Sequence, residues 1–236
     1  MATCHVLRIG RIRYQPALDV QLRIVERIKE TEAADAVLLL LEHSPAITIG
    51  RSGRDEHLLA AGDDLARRGL ERHRSSRGGD VTYHGPGQIV GYPILRLAGV
   101  RRDVHRYLRS LEAVLIAALK RFGIEGQRAA GLTGVWVGDA KVAAIGVALS
   151  RWITYHGFAL NVTTDLDAFS LIVPCGIHNR PVTSMEKLLG RAPARKEVED
   201  ALVEEFAAEF QFEAVREFLR AEDLPESIIR SHREED

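Results

Sequence analysis

Residues 77–88 read Arg-Gly-Gly-Asp-Val-Thr-Tyr-His-Gly-Pro-Gly-Gln, four glycines and a proline in twelve positions, directly before the apolar run at 89–95. No core strand or helix has that composition. Glycine permits positive φ and close backbone approach, while proline fixes φ and removes a donor. The chain must turn here and present backbone and polar side chains, either as an ornate hairpin or as a loop that grips a ligand. Two later features favour the ligand loop: the string Pro174-Cys175-Gly176-Ile177 and a lysine, Lys141.

At 236 residues with 46% hydrophobic content, the chain has material for one sizeable core. Basic and acidic residues balance at 32 against 33, which excludes a broad electrostatic field for nucleic acid or a membrane surface. Arginine pairs such as Arg67-Arg68 and Arg101-Arg102 read as solvated faces or as a local patch for an acidic partner protein. No apolar run reaches the length of a bilayer span, and the first ten residues lack a secretory core. The expected location is the cytoplasm, where two cysteines, Cys4 and Cys175, are thiols rather than a bridge. Cys4 falls close to the terminus, where order is often poor.

Apolar spacing predicts an amphipathic helix over residues 17–28, buried strands at 36–41 and 46–49, and a helix over 55–68 stopping at Gly69. Strands are expected at 81–83 and 88–95, on either side of the His84-Gly85-Pro86-Gly87 loop. The clearest helix spans 103–122, capped by Asp103 and closed by Gly123. Three β segments follow at 133–137, 141–149 and 152–162, then a loop over 169–183 and an amphipathic helix over 195–212. The order predicts an α+β fold, a mixed or antiparallel sheet flanked by helices. Residues 1–221 are expected to form a single catalytic domain and the charged residues 222–236 a partly ordered tail.

Cys175 is flanked by proline and glycine in a loop, so it reads equally as an accessible nucleophile or a small buried hydrophobe. Lys141 opens the apolar run Val142-Ala143-Ala144-Ile145 and would stand at the edge of a dry sheet, where partial desolvation lets a lysine exchange a proton with a thiol. An ordinary turn lysine is the alternative. His84 is a rival base, with His156 and His178 near the same loops, so the residues support a Cys–Lys or a Cys–His pair.

The strings at 77–88, Lys141 with Ala144-Ile145-Gly146, His156-Gly157-Phe158-Ala159-Leu160-Asn161-Val162 and Pro174-Cys175-Gly176-Ile177, preceded by Glu42-His43-Ser44-Pro45, resemble in order and separation the motifs of the lipoyl (octanoyl) transferase family. The resemblance implies a fold like the biotin and lipoate protein ligase catalytic domain. It also implies octanoyl transfer from acyl carrier protein to a lysine of lipoyl domains, through a cysteine thioester. The acceptors would be the E2 subunits of 2-oxoacid dehydrogenases and the H protein of glycine cleavage, with no cofactor required. It assigns the nucleophile to Cys175 and its partner to Lys141. Acyl-binding positions are Arg77, Gly78, Gly79, Asp80, Val81, Thr82, Tyr83 and His84, with Ala144, Ile145, Gly146, Gly157, Phe158 and Ala159. Two positions depart from the pattern: Asp80 stands where Gln or Glu is expected, and Phe158 is bulkier than the expected leucine and would narrow the acyl tunnel. Burying seven acyl carbons is worth roughly 5 kcal/mol, enough to anchor the donor. The alternatives are an ATP-dependent lipoate or biotin ligase on the same fold and a non-catalytic carrier-binding homologue.

Overall fold

The structure is a computed structural model describing residues 2–31, 35–60, 65, 67–99, 102–173 and 180–229. Ten strands are described: β1 (Thr3–Ile12), β2 (Ala36–His43), β3 (Ala46–Ile49), β4 (Glu71–Arg74), β5 (Val81–His84), β6 (Gln88–Ile94), β7 (Val135–Val137), β8 (Ala140–Ser150), β9 (Ile153–Asn161) and β10 (Ala214–Phe218). The helices are α1 (Tyr14–Glu30), α2 (Val104–Lys120), α3 (Met185–Leu189) and α4 (Arg195–Phe210).

A seven-stranded sheet runs β10-β1-β2-β6-β9-β8-β7, and a three-stranded sheet runs β4-β3-β5. The large sheet is mixed, parallel from β10 through β2 and antiparallel onward. This is the expected α+β arrangement. The apolar run of β2 explains its central place, because both faces are buried. Leu38 and Leu40 join the cluster under α2 and α4, while Leu39 and Leu41 join the cluster under α1. Asp103 caps α2 as expected, accepting from the amides of His105 and Arg106.

The structure decides one alternative, corrects two expectations and adds one strand. The glycine-rich segment does not close a hairpin: β5 pairs with β3 in the small sheet and β6 with β2 and β9 in the large one, so the 85–87 turn carries the chain between sheets. The helix expected over 55–68 begins later than expected: its first part is a 3-10 turn at Asp55–His57 followed by Leu58, which bridges to Ile172, whereas Leu65 and Arg67 are helical. Leu59 donates its amide to the Leu171 carbonyl, so pairing with a distant segment overrides helical composition there. Residues 61–64 and 66 lie outside the described residues. Cys4 is no frayed residue: β1 lies between β2 and β10, and burial pushes the Cys4 thiol up to about 12. Strand β4, a polar strand with no periodic apolar pattern, was not anticipated. Of residues 222–229, Leu224, Ile228 and Ile229 are buried beside α1.

Candidate active site

A cavity of about 580 Å³ opens between the two sheets, within the range of small-molecule sites. Its floor follows from strand alternation. Ala144 and Ala159 face each other across β8 and β9, as do Gly146 and Gly157, so one face of the sheet carries no bulk for several residues. Between them Ile145 pairs with Phe158.

Phe158 does not behave as a simple narrowing of the cavity. Its ring belongs to the cluster under α2, and a Cβ added to Gly91 on the neighbouring strand would lie 2.1 Å from Phe158 Cζ. The phenyl bulk fills the place of the side chain that Gly91 lacks.

The rim is the 77–80 loop packed on the turn after β3. Gly50, Arg51 and Ser52 donate amides to the carbonyls of Asp80, Arg77 and Gly79. A Cβ on Gly50 would sit 2.3 Å from the Gly79 oxygen, so only glycine permits that approach. Gly78 donates to the Val147 carbonyl and stays off the cavity wall, while Tyr83 turns away and packs edge-on against Phe169, 5.5 Å between centroids. Arg77, Gly79, Asp80, Val81, Thr82 and His84 line the cavity with Lys141 and the β8–β9 residues.

Arg77 is buried and its guanidinium is tied to β3, donating to the Thr48 carbonyl at 2.7 Å and to the Thr48 hydroxyl at 2.8 Å. A polar chain continues inward. The Thr48 hydroxyl meets His84 Nε2 at 3.3 Å, and His84 Nδ1 meets Gln88 Oε1 at 2.8 Å. Gln88 donates to Asn161 Oδ1, Asn161 donates to the Thr183 carbonyl, and the Thr183 amide donates to the carbonyl of Lys141. Both nitrogens of His84 are therefore engaged. Burial, with His43 and Arg77 adding to it, pushes the His84 pKa well below the ordinary histidine value. His84 is a link in this chain rather than an open base.

His156 sits at φ +56, a left-handed conformation rare outside glycine, and is held there because its amide donates to Gln21 Oε1 at 2.8 Å. Burial and Arg77 push its pKa down to about 3. Glu42 fixes the turn between the sheets: Oε2 accepts from the Gly87 amide at 2.8 Å and from Arg195 at 2.9 Å.

Lys141 is buried at the edge of the cavity, with Nζ 4.8 Å from the centre of the Trp136 ring. Arg180 approaches the same ring at 5.1 Å. The Lys141 amide donates to Pro181, so the backbone of β8 pairs with the segment that follows the cysteine motif. Cys175 and His178 themselves lie outside the described residues. Thr48, Gly50, His57, Tyr92 and Gln21 also belong to the site or its support. Only the glycine at 50, just after a strand, carried a mark in the sequence.

A cavity between a mixed sheet and a small satellite sheet, rimmed by a glycine-rich loop and edged by a buried lysine, defines a small-molecule binding site. The sequence model of the lipoyl protein ligase A/B catalytic domain matches residues 13–207, and the chain belongs to that family. It is 53% identical over 213 residues to an octanoyltransferase of Solibacter usitatus, covering 90% of this chain and 96% of that protein. An octanoyltransferase of Chloroflexus aggregans is 48% identical over 218 residues, 91% of this chain and 98% of its own. The fold also matches a chain from the archaeal lipoylation system of Thermoplasma acidophilum, a bi-partite lipoate protein ligase and its E2 lipoyl domain. That match has a TM-score of 0.74 at 16% identity, over 94% of this chain and 89% of that one.

Proposed function

We propose that this chain is an octanoyltransferase. It moves an octanoyl group from acyl carrier protein to the target lysine of lipoyl domains, through a thioester on Cys175. The observation that carries the proposal is the similarity to octanoyltransferases along nearly the whole chain, 53% identity in one case. What supports the assignment of roles is the position of Lys141, buried at the cavity edge and paired through its backbone to Pro181, downstream of the cysteine motif. In this reading Lys141 takes the thiol proton and its ammonium balances the thiolate, while the face of Trp136 attracts that cation.

The acyl chain lies along Ala144, Ala159, Gly146 and Gly157, beneath the glycine-rich rim. Exchange between thioesters is near thermoneutral and aminolysis is downhill, so no nucleotide is consumed. Residues 1–221 act as one catalytic domain, with E2 subunits and the glycine cleavage H protein as acceptors in the cytoplasm. No helix among the described residues is long and apolar enough to cross a membrane.

Intact mass after mixing with octanoyl-carrier protein, without ATP, tests the proposal. An adduct of one octanoyl group is expected in the unaltered chain and in Cys4→Ala, lost on hydroxylamine treatment and absent in Cys175→Ala. An adduct that persists in Cys175→Ala overturns the thioester route. Transfer that requires ATP points instead to a ligase.

A further inference from the structure

Glu112 is fully buried on α2, the helix whose Leu111, Val114 and Leu115 pack on the sheet face away from the cavity. Its lone pairs are filled by three donors. Oε2 accepts from Arg109 at 2.6 Å and from Arg128 at 3.0 Å, while Oε1 accepts the Gly134 amide at 3.1 Å. Arg128 also donates to the Arg109 carbonyl at 2.9 Å, which fixes it against the helix.

Two of these donors belong to one loop. Gln127 and Trp136 exchange backbone hydrogen bonds at 2.8 and 2.9 Å and close the residues between them into a loop. Its tip, Gly131, Leu132 and Thr133, lines the cavity, and Arg128 and Gly134 stand at its base. The loop therefore passes around the β7 edge of the large sheet, from the α2 face to the cavity. Gly134 has φ +120, and a Cβ there would lie 2.6 Å from the Ala143 carbonyl oxygen and 3.6 Å from Lys141 Cε. The glycine that Glu112 holds lies directly beside the stem of Lys141. Taking a carboxylate out of water is costly unless it is fully bonded, and an apolar side chain would pack α2 as well. A pair that only tied the helix to its surroundings could stand in solvent, as Arg121 does with Glu204 of α4.

We propose that Glu112, with Arg128 as its outer arm, is a positioning residue of the octanoyl site. It holds the 127–136 loop so that residues 131–133 wall in the acyl group and Gly134 stays against Lys141. The inference rests on the octanoyl-transfer reading. Glu112 touches no substrate and acts through the loop. Releasing the outer arm lets the wall retreat, which weakens the hold on the donor more than it slows the chemistry.

The Arg128 side chain is 44% exposed, so Arg128→Ala removes the arm without opening the core. Single-turnover acylation by octanoyl-carrier protein, run over a range of donor concentrations, separates hold from chemistry. In Arg128→Ala the half-saturating concentration should rise about 10-fold or more with the maximal rate within a few-fold, because small displacements of a positioning group are costly. Arg128→Lys keeps a cation within reach of Glu112 and should recover most of that loss. Glu112→Gln can still accept from Gly134 but not from both arginines, and should resemble Arg128→Ala. Arg121→Ala, a change on the same helix away from the loop, should alter neither constant. A lowered melting temperature in Arg128→Ala with both constants unchanged overturns the inference, as does a fall in maximal rate alone. Amide hydrogen exchange over 129–134 reads the loop without the reaction. It should quicken about 10-fold or more in Arg128→Ala and Glu112→Gln, and unchanged exchange in both overturns the inference. An unaltered chain that forms no acyl-enzyme, while the variants show the faster exchange, overturns the octanoyl-transfer reading instead.

Discussion

Lys141 stands on the face of Trp136, and arginine could occupy the same place with the same charge. Arginine cannot give up or take a proton at any working pH, so the two side chains separate charge from proton transfer. If Lys141 takes the thiol proton, Lys141→Arg should lose enzyme acylation about 10²-fold or more, close to the loss in Lys141→Ala. Single-turnover acylation followed by mass would measure it. An acylation rate in Lys141→Arg within a few-fold of normal would show that the cation alone suffices. His84, which competes with Lys141 for the role on sequence grounds, is occupied at both nitrogens. At this scale the sequence revealed residues inside motifs and hid those outside them. His57 stands in the charged run Arg54-Asp55-Glu56, with nothing around it to suggest a cavity. Its partner Asp80 belongs to the glycine-rich string, yet the pairing spans 23 residues and exists only because β3 and β5 share a sheet.

Strands β6 and β9 show how two elements settle their shapes together. Gly91 and Phe158 are directly opposed, and the phenyl ring fills the space above the glycine. Gly91→Ala should therefore force the ring to move, at a cost of about 1–3 kcal/mol for overpacking a closed core. In a Phe158→Leu background the same change should cost clearly less, because leucine lacks the ring atoms that meet the new methyl. Urea unfolding of the four chains gives the coupling, and an equal cost in both backgrounds would refute the complementarity. Elements with a strong internal pattern were legible in the sequence: the continuous apolar run of β2, the capped and periodic α2, and the strands β8 and β9 with their connecting turn. What failed was information about partners. Strands β5 and β6 are placed correctly, but their residues leave open whether they pair, and each joins a different sheet. The polar strand β4 is fixed by its ladder to β3, from Ala46 opposite Glu71 to Ile49 opposite Arg74, which no local pattern encodes.

Across the whole molecule, the joint between the two sheets is filled by histidines kept neutral. His43 comes from β2, His84 from β5 and His156 from β9, with His43 and His84 rings 5.5 Å apart. Burial lowers His43 to about 4 and His156 to about 3, and drives His84 well below its ordinary value. His43 Nε2 lies 2.7 Å from the Tyr92 hydroxyl and Nδ1 lies 3.1 Å from the Ile12 carbonyl, so its ring donates once and accepts once as a neutral base. In the unfolded chain each of the three titrates near 6.5. Because the folded values are depressed and the group is a base, the unfolded state binds more protons below pH 6.5. Stability is then complete above that pH and falls as pH drops toward the folded values. By pH 5 His43 and His156 have each given up about 2 kcal/mol, together on the order of 4 kcal/mol, a large share of the usual 5–15 kcal/mol total, and His84 shifts in the same direction. Urea midpoints measured between pH 7.5 and 5 should fall steeply, with a slope that reaches about two protons or more taken up on unfolding. A flat profile over that interval would mean that these histidines are not buried and neutral, and that the two sheets do not close on them as described.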